Sequence, residues 1–368
     1  MTEATTRLTQ LLGIRHPIVL GPFGGLSSVE LTATVSELGG LGSFGLFGYD
    51  ARHIVQTGEA IRAATSAPFA LNLWLPLPTD GAALPPRAFE QALEAVRPLY
   101  DAVDTPVPSA PPERYLPSFG EQWEAVLEVR PAVASFVYGV PPEHVVADAR
   151  ARGIRLVGTA TTVDEAVALE AGGIDAIVAT GLEAAGHRVA FLRPAETSLV
   201  GSISLIPQVV DAVSVPVIAA GGIADRRGVA AAIALGAAGV QVGTAFLRTR
   251  QSAASDDHRR AIEATAAEDT VLTRAMSGRL ARGAANRAIR AIEADGAIAP
   301  YPVQGWLTAG FRAAAAKLGK GELQSLWMGQ SARLAVRDDA RDVFAELLAG
   351  VQGTTGVPGE TGPPRGVA

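Results

Sequence analysis

The chain has 368 residues, of which 48% are hydrophobic, and a formal net charge of −6. This size and composition allow a substantial buried core, so an intrinsically disordered protein is excluded. The absence of cysteine excludes disulfides, thiolate nucleophiles, iron–sulfur clusters and cysteine-ligated zinc. Basic residues are spread thinly, which leaves no electrostatic footprint for nucleic acid.

The first residues, MTEATTRLTQLLG, lack the basic start and long apolar stretch of a signal peptide. No run elsewhere approaches the ~20 apolar residues that a membrane helix needs. We therefore expect a cytoplasmic protein with no membrane partner.

Short apolar runs recur along the first 250 residues, and segments of helical period separate them. The runs show little polar alternation, as expected for strands that are covered on both faces. They are PIVLG (17–21), GSFGL (42–46), FALNLWL (69–75), AVASFVY (132–138), IRLVGTA (154–160), DAIVAT (175–180), VPVIAA (215–220) and GVQVG (239–243). Eight βα units in series predict an α/β fold, a (β/α)8 TIM barrel, with a doubly wound sheet as the structural alternative.

Two stretches fall outside this repeat. Residues 76–120 are rich in proline around one predicted helix, which indicates an excursion after the third strand, either a flap at the mouth of the barrel or an exposed spacer. After the barrel, patterns of helical period predict an added, mainly helical second domain. We therefore expect a barrel over 1–250, a helical substrate-covering domain over 251–322, a return segment on the barrel over 323–350, and a disordered tail over 351–368.

In a barrel of this kind the reactive groups lie on loops that follow the strands. After the first strand comes GPFGGLSS, whose glycines allow close approach of a planar ligand and in which Ser27 or Ser28 could cap the next helix. The alternative interpretation of this segment is an ordinary βα turn followed by a helix cap. Asn72 is the strongly polar residue of the third strand, and its amide either bonds neighbouring backbone or faces a ligand that offers both a donor and an acceptor.

The seventh and eighth strands are followed by AAGGIADRRG and QVGTAFLRT. Glycines there leave backbone N–H groups open, and the following helices add positive charge at their N-termini. Either motif alone is ordinary turn chemistry. On consecutive strands, they predict a phosphate-binding cup, to which Thr244 could add a hydroxyl.

The loop after the sixth strand reads TGLEAAGHRV and contains Glu183 and His187. One glutamate and one histidine fall short of a metal site, so no metal is expected and Glu183 is interpreted as a loop or helix-start residue. An imidazole of near-neutral pKa suits proton transfer or a hydrogen bond to an anionic substrate. A purely structural histidine is the alternative.

With these motifs in place, the sequence resembles the nitronate monooxygenase family, formerly grouped as 2-nitropropane dioxygenases. The resemblance covers roughly residues 7–335. It rests on RHPIVLGPFGG, SELGGLGSFG, LNLW, GLEAAGHR, the block from 205 to 249, APYPVQ and WMGQSA, in the family's order.

The resemblance implies an FMN-dependent oxidoreductase that oxidises alkyl nitronates or nitroalkanes with O2 to carbonyl compounds and nitrite. It also implies that His187 is the catalytic residue and that Tyr301 forms an aromatic wall for the substrate. We expect a monomer or homodimer. The implied FMN contacts are Gly21, Pro22 and Phe23 beneath the ring; Asn72, Thr180, Ala185, Gly186 and Gln241 around it; and Gly221, Gly222, Gly243, Thr244, Gly329, Gln330 and Ser331 at the phosphate.

The sequence departs from the family pattern in the loop after the sixth strand. Ala185 and Val189 stand in place of glycines, and Thr180 stands in place of a common glutamine. The side chains of Ala185 and Val189 predict a narrower space beside the cofactor or a stiffer loop, whereas Thr180 is shorter than glutamine and reaches less far toward the ring. Rival functions on the same scaffold are an NAD(P)H:quinone reductase, an enoyl-thioester reductase, a non-redox phosphate-binding barrel enzyme, and a binding protein without turnover.

Overall fold

The computed structural model describes residues 6–81 and 84–353, and eight of the strands there fall where the apolar runs predict them. Three further short strands, which the apolar runs do not predict, bring the described strands to eleven. Their bounds in chain order are β1 (Ile18–Leu20), β2 (Gly42–Gly45), β3 (Phe69–Trp74), β4 (Val133–Val137), β5 (Arg155–Ala160), β6 (Ala176–Thr180), β7 (Gly186–His187), β8 (Val217–Ala220), β9 (Gly239–Val242), β10 (Thr270–Thr273) and β11 (Ala281–Ala284).

Eight of these strands form one parallel sheet in the order β1-β9-β8-β6-β5-β4-β3-β2. The two end strands meet through a bridge between Val19 and Leu41, where the Leu41 N–H donates to the Ile18 carbonyl at 2.9 Å. The sheet therefore closes on itself. The predicted TIM barrel is confirmed, and the doubly wound alternative was wrong.

The helices that cover the barrel and build the rest of the molecule are α1 (Arg7–Leu12), α2 (Val29–Glu37), α3 (Ala51–Ala64), α4 (Pro86–Asp101), α5 (Phe119–Val129), α6 (Glu143–Ala151), α7 (Val163–Ala171), α8 (Ser202–Ala212), α9 (Arg226–Ala234), α10 (Thr244–Leu247), α11 (Asp256–Ala264), α12 (Arg287–Asp295), α13 (Val303–Lys317) and α14 (Ala340–Gly353).

The barrel interior is filled by small and branched side chains that point inward from successive strands, among them Val133, Val178 and Ile218. Leu8 and Leu12 of α1 belong to the same buried cluster and close the amino end of the barrel. Because this end is sealed by packing, the opposite end, where the strands finish, is left for a ligand.

The excursion after β3 joins the second lobe, which we define as residues 251–322. Helix α4 buries Val96, Leu99 and Tyr100 against Met276 and Phe311 of that lobe. The Tyr100 hydroxyl donates to the Leu307 carbonyl at 2.9 Å. This packing favours the flap interpretation over an exposed spacer.

The second lobe contains strands as well as the expected helices. Strands β10 and β11 pair antiparallel, and β11 then pairs with β7, which belongs to the loop after β6. The sequence predicts a mainly helical domain here, with no strand named in it, and misses this sheet because TVLT and ARGA are short and show no polar alternation.

The return segment ends in α14, which packs back on the barrel. Val343, Phe344 and Leu347 share a buried cluster with Leu31 of α2 and Val229 of α9. Helix α14 continues to Gly353, so the expected tail cannot begin at 351, and its remainder from 354 lies outside the described residues.

Candidate functional site

A cavity of about 480 Å³ opens at the carboxyl ends of the barrel strands, between the barrel and the second lobe. We call it the barrel cavity. The sequence-predicted residues that it brings together are Gly21, Pro22, Phe23, Asn72, Thr180, Ala185, Gly186, His187, Gly221, Gly222, Gln241, Gly243, Thr244, Tyr301, Gly329 and Ser331.

The glycines after β8 and β9 present open backbone donors to this cavity. Gly221 has φ +98°, and a Cβ there would lie 3.1 Å from the Gly181 carbonyl oxygen, so both conformation and space call for glycine. Within the described residues, no hydrogen bond uses the backbone N–H of Gly221, Gly222 or Gly243. We call these three residues the glycine cradle, and they fit a phosphate group.

The helices after these strands contribute less than the sequence predicts. The N-terminus of α9 is capped by Asp225, whose carboxylate accepts from the N–H groups of Arg227 (2.9 Å) and Gly228 (3.4 Å). Helix α10 has only four residues. The partial positive charge expected at the helix N-termini is therefore already neutralised at α9 and is small at α10. This leaves the loop N–H groups as the hydrogen-bond donors for an anion.

The return segment closes the cradle from the other side. The Gly329 N–H donates to Thr244 Oγ1 at 3.0 Å, which leaves the Thr244 hydroxyl proton for a ligand. Ser331 Oγ donates its own proton to the Gly222 carbonyl at 2.7 Å, so Ser331 orients the cradle. Gln330 is not brought to the cavity wall, and its backbone N–H donates to the Glu183 carbonyl at 3.0 Å.

Asn72 and the loop after β1 form a second part of the cavity wall. Asn72 Nδ2 donates to the carbonyl and hydroxyl of Ser135 at 3.2 and 3.0 Å. Its Oδ1 has no hydrogen-bond partner in the part of the chain that the structure describes. Ser27 ties the loop to β2 by accepting from the Gly45 N–H at 3.0 Å, whereas Ser28 caps α2.

His187 is held in place by strand pairing. It lies opposite Ala281 in the β7–β11 ladder, so the second lobe fixes its backbone. Its Nε2 lies 2.8 Å from Ser277 Oγ. The imidazole packs edge-on against Trp74, with ring centroids 4.9 Å apart, and lies tilted against Trp327, with ring centroids 5.5 Å apart.

This environment changes the acid–base character of the imidazole. Burial, followed by the charges of Arg279 and Arg312, lowers the pKa of His187 to about 3. The near-neutral pKa expected from the sequence was therefore wrong. At neutral pH His187 is an uncharged donor and acceptor and a weak base.

Two charged side chains, one on each side of His187 in the sequence, hold the loop after β6 in place. The Arg188 guanidinium donates to the carbonyls of Thr180 and Gly181 at 3.0 and 2.7 Å. Glu183 lies in the loop and starts no helix of its own, but its carboxylate accepts from the Ser202 N–H at 3.0 Å, at the first residue of α8. These contacts restrict the position of the imidazole.

An aromatic wall, formed by Trp74, Tyr138 and Tyr301, surrounds Arg279. The Arg279 Cζ atom lies 3.8 Å from the ring centroids of both Tyr138 and Tyr301. Its guanidinium is bonded to both carboxylate oxygens of Asp80 at 2.5 Å. Asp80 belongs to the excursion and Arg279 to the second lobe, so this mostly buried ion pair joins the two beside Trp74 and Tyr301 of the cavity wall.

Several residues of the cavity wall were missed by sequence reasoning. Trp74 and Trp327 lie within the matched motifs LNLW and WMGQSA but were assigned no role. Ser277 and Arg312 reach the wall through the fold of the second lobe, and no local pattern marks them. Thr180, Ala185 and Val189 all face the cavity, as their departure from the family pattern predicts.

Comparison with known proteins shows which family this chain belongs to. The family model for nitronate monooxygenase matches residues 5–350. A probable nitronate monooxygenase from Staphylococcus aureus (strain Newman) is 41% identical over 346 residues, which cover 93% of this chain and 96% of the relative.

Solved structures agree with this result. Nitroalkane oxidase from Streptomyces ansochromogenes superposes with a TM-score of 0.86 at 36% identity, covering 95% of this chain and 98% of that one. FabK from Thermotoga maritima superposes with a TM-score of 0.74 at 27% identity, covering 96% and 97%. The fold and these relatives define the chain as a flavin-dependent TIM-barrel oxidoreductase. It belongs to the nitronate monooxygenase family.

Two further findings concern residues 6–81 and 84–353. None of their helices is long and apolar enough to cross a membrane. Within the same ranges, no group of three or more His, Cys, Asp or Glu side chains is placed to hold a metal ion.

Proposed function

We propose that the protein uses FMN to oxidise alkyl nitronates with O2, giving carbonyl compounds and nitrite. Two nitronate anions and one O2 give two carbonyl compounds and two nitrite ions, so atoms and charge balance. One observation carries the proposal: a partly buried, uncharged imidazole shares a cavity with a cradle of open backbone N–H groups. The cytoplasmic location and the monomeric or homodimeric state stay predictions from the sequence.

The donor set supports FMN as the cofactor. The glycine cradle and the Thr244 hydroxyl suit a phosphate, and Asn72 Oδ1, together with the backbone from Gly21 to Phe23, suits the edge and face of a flavin ring. Bound flavin supplies the electron transfer and the reaction with O2. The protein positions the substrate and keeps water from it.

The role proposed for His187 is to hold the nitronate. Nδ1 has no hydrogen-bond partner among the described residues, while Nε2 faces Ser277. The single proton of the Ser277 hydroxyl can be donated either to Nε2, at 2.8 Å, or to the Arg279 carbonyl, at 3.2 Å. In the proposed arrangement it takes the shorter contact, which places the imidazole proton on Nδ1, from where it is donated to a nitronate oxygen. A pKa of about 3 makes His187 a poor base for a neutral nitroalkane, which favours the nitronate as the substrate.

Replacing Gly243 with alanine tests the cradle. A Cβ at Gly243 meets only Phe23 Cε1, at the ordinary contact distance of 3.6 Å, so we expect an unchanged fold. The added methyl group would instead occupy the phosphate position and weaken FMN binding by about 10-fold or more, the equivalent of one charge-assisted hydrogen bond. Titration of flavin-free protein with FMN measures this. Gly120→Ala, where a Cβ meets nothing within 4 Å, is the matched control.

Flavin absorbance spectra, recorded as reagents are added in turn, test the reaction class. The purified protein should be yellow, and under anaerobic conditions ethyl nitronate should bleach the flavin while NADH should not. Readmitted O2 should restore the oxidised spectrum and release nitrite. Rapid bleaching by NADH would indicate a reductase, and a colourless protein that cannot take up FMN would indicate a non-redox barrel enzyme. Flavin that neither reagent bleaches would indicate a binding protein without turnover.

A further inference from the structure

A second cavity lies at the end of the barrel opposite the barrel cavity. Its volume of about 420 Å³ is in the range of sites for small molecules. Asp175 and Pro216 on its wall directly precede β6 and β8, so it opens at the amino ends of the strands. Residues of α1 and α6 complete the wall, and the proposed reaction uses none of them. We call it the amino-end cavity.

Two arginines from different helices line the amino-end cavity. Arg7 is the first residue of α1, and Arg150 lies in the last turn of α6. Arg7 Nη1 donates to the Ser214 carbonyl at 2.5 Å, which ties the guanidinium to the loop between α8 and β8. This bond uses one of five N–H groups, so four remain for a ligand.

Arg150 lies over the loop between α7 and β6. Gly173 in that loop has φ +86°, and a Cβ there would lie 2.8 Å from Arg150 Nη2, so the glycine lets the guanidinium approach the backbone. Within residues 6–81 and 84–353, no hydrogen bond or ion pair uses this guanidinium. Its five N–H groups are therefore open to a ligand.

The carboxylates near the two arginines differ in their availability. Glu170 is close to Arg7, but it is outside the cavity wall and accepts from the Ser214 N–H and hydroxyl at 2.7 and 2.5 Å. Asp175 belongs to the wall, and its Oδ2 accepts from the Leu156 N–H at 2.8 Å. The structure describes no hydrogen-bond partner for Asp175 Oδ1.

The charges of the wall define the chemistry of a matching ligand. Arg7 and Arg150 contribute two positive charges and Asp175 one negative charge, which leaves an excess of one positive charge. The arginines call for an anionic group on the ligand, and Asp175 Oδ1 calls for a hydrogen-bond donor beside it. Between these groups the wall is apolar, with Leu11, Ile174 and Val215.

We propose that the amino-end cavity binds a phosphate monoester of a hydroxylated carbon skeleton, as in a sugar phosphate or a ribonucleotide. The oxygens of a phosphate point in several directions and suit guanidinium groups from two helices, whereas the two oxygens of a carboxylate match a single guanidinium. A hydroxyl of the skeleton donates to Asp175. Because the reactive groups of barrel enzymes lie at the opposite end, this ligand acts as a stabiliser or regulator and not as a substrate.

Calorimetric titration of the FMN-loaded enzyme with ribose 5-phosphate, AMP, inorganic phosphate and ribose tests the proposal. We expect at least one of the two esters to bind about 10-fold or more tightly than inorganic phosphate, the range of one hydrogen bond to a charged group, and ribose not to bind. Tighter binding of AMP would identify a nucleotide site, and equal or tighter binding of ribose 5-phosphate a sugar phosphate site. Bound FMN keeps these ligands from the glycine cradle.

Variants locate the binding. Arg150→Gln should weaken binding of the preferred ester about 10-fold or more, and Arg150→Lys should keep part of it. Arg155→Gln, which removes an exposed charge at the start of β5 outside the cavity wall, should leave binding unchanged. Asp175→Asn retains an acceptor for the Leu156 N–H but should reduce the preference for the ester over inorganic phosphate.

The flavin absorbance spectrum gives a second readout. It should not change when the ester binds, because the amino-end cavity lies across the barrel from the glycine cradle. A spectral change would place the ester in the barrel cavity and overturn the proposal. Equal binding of ester and inorganic phosphate, no binding of either ester, or full binding by Arg150→Gln would also overturn it. None of these outcomes bears on nitronate oxidation, which is measured separately as nitrite release.

Discussion

Replacing His187 with alanine is expected to lower kcat/KM for ethyl nitronate by about 100-fold or more, the usual range for loss of a positioned proton donor or acceptor. FMN content should stay near that of the unaltered protein, because the glycine cradle follows β8 and β9 and does not contact the imidazole. Steady-state nitrite release and the flavin absorbance per chain measure the two effects. His144→Ala, on the exposed face of α6, is the control.

A second variant at the same position distinguishes two roles. The amide of asparagine can place an N–H close to where Nδ1 of histidine lies, but it cannot accept a proton as a base. His187→Asn should therefore retain more activity than His187→Ala if the residue holds an anionic nitronate. An equal loss of kcat/KM in both variants would indicate that His187 acts as a base. Full activity in both variants would show that His187 has no role in the reaction.

Replacing Arg279 with methionine is expected to lower the free energy of unfolding by about 3 kcal/mol or more, because it leaves Asp80 without its partner in a mostly buried position. The side chains of Arg279 and Asp80 are only 9% and 18% exposed. The substitution also removes the cation that lies between Tyr138 and Tyr301. Urea unfolding followed by tryptophan fluorescence measures the change.

A double substitution separates the ion pair from the packing. Asp80→Leu combined with Arg279→Met removes both charges and should be less destabilising than Arg279→Met alone. Arg274→Met is the matched control, since Arg274 pairs with Glu196 but is 43% exposed, and we expect it to cost about 1 kcal/mol or less. A similar decrease in the free energy of unfolding for Arg274→Met and Arg279→Met would show that burial does not strengthen the Asp80–Arg279 pair.

Much of the barrel could be predicted because its strands are local patterns. Each apolar run, such as FALNLWL, is buried on both faces and bounded by glycine, proline or a helix cap, so one sequence marks its position to within a residue or two. The glycines that follow β8 and β9 are equally local signals, and they line the cavity as predicted. Asp225 shows the limit, because a helix N-terminus that appears free in the sequence is occupied by its own cap.

The unpredicted features depend on contacts between distant parts of the chain. Strand β11 pairs with β10 on one side and with β7 on the other, where Ala281 lies opposite His187, and nothing in the sequence ARGA indicates either partner. Asp80 and Arg279 are separated by most of the barrel, so their pairing has no sequence signal. The low pKa of His187 arises from burial by residues of both lobes, which a pattern of four or five letters cannot encode.

The pairing of β7 with β11 has a consequence for attempts to exchange parts of this enzyme. The histidine comes from the barrel, but the strand and the serine that fix it come from residues 277–284 of the second lobe. A chimaera that replaces the second lobe with that of another family member would therefore also replace the supports of the histidine. The two portions form one functional unit, and new substrate ranges are better sought by single substitutions in the cavity wall than by recombining whole lobes.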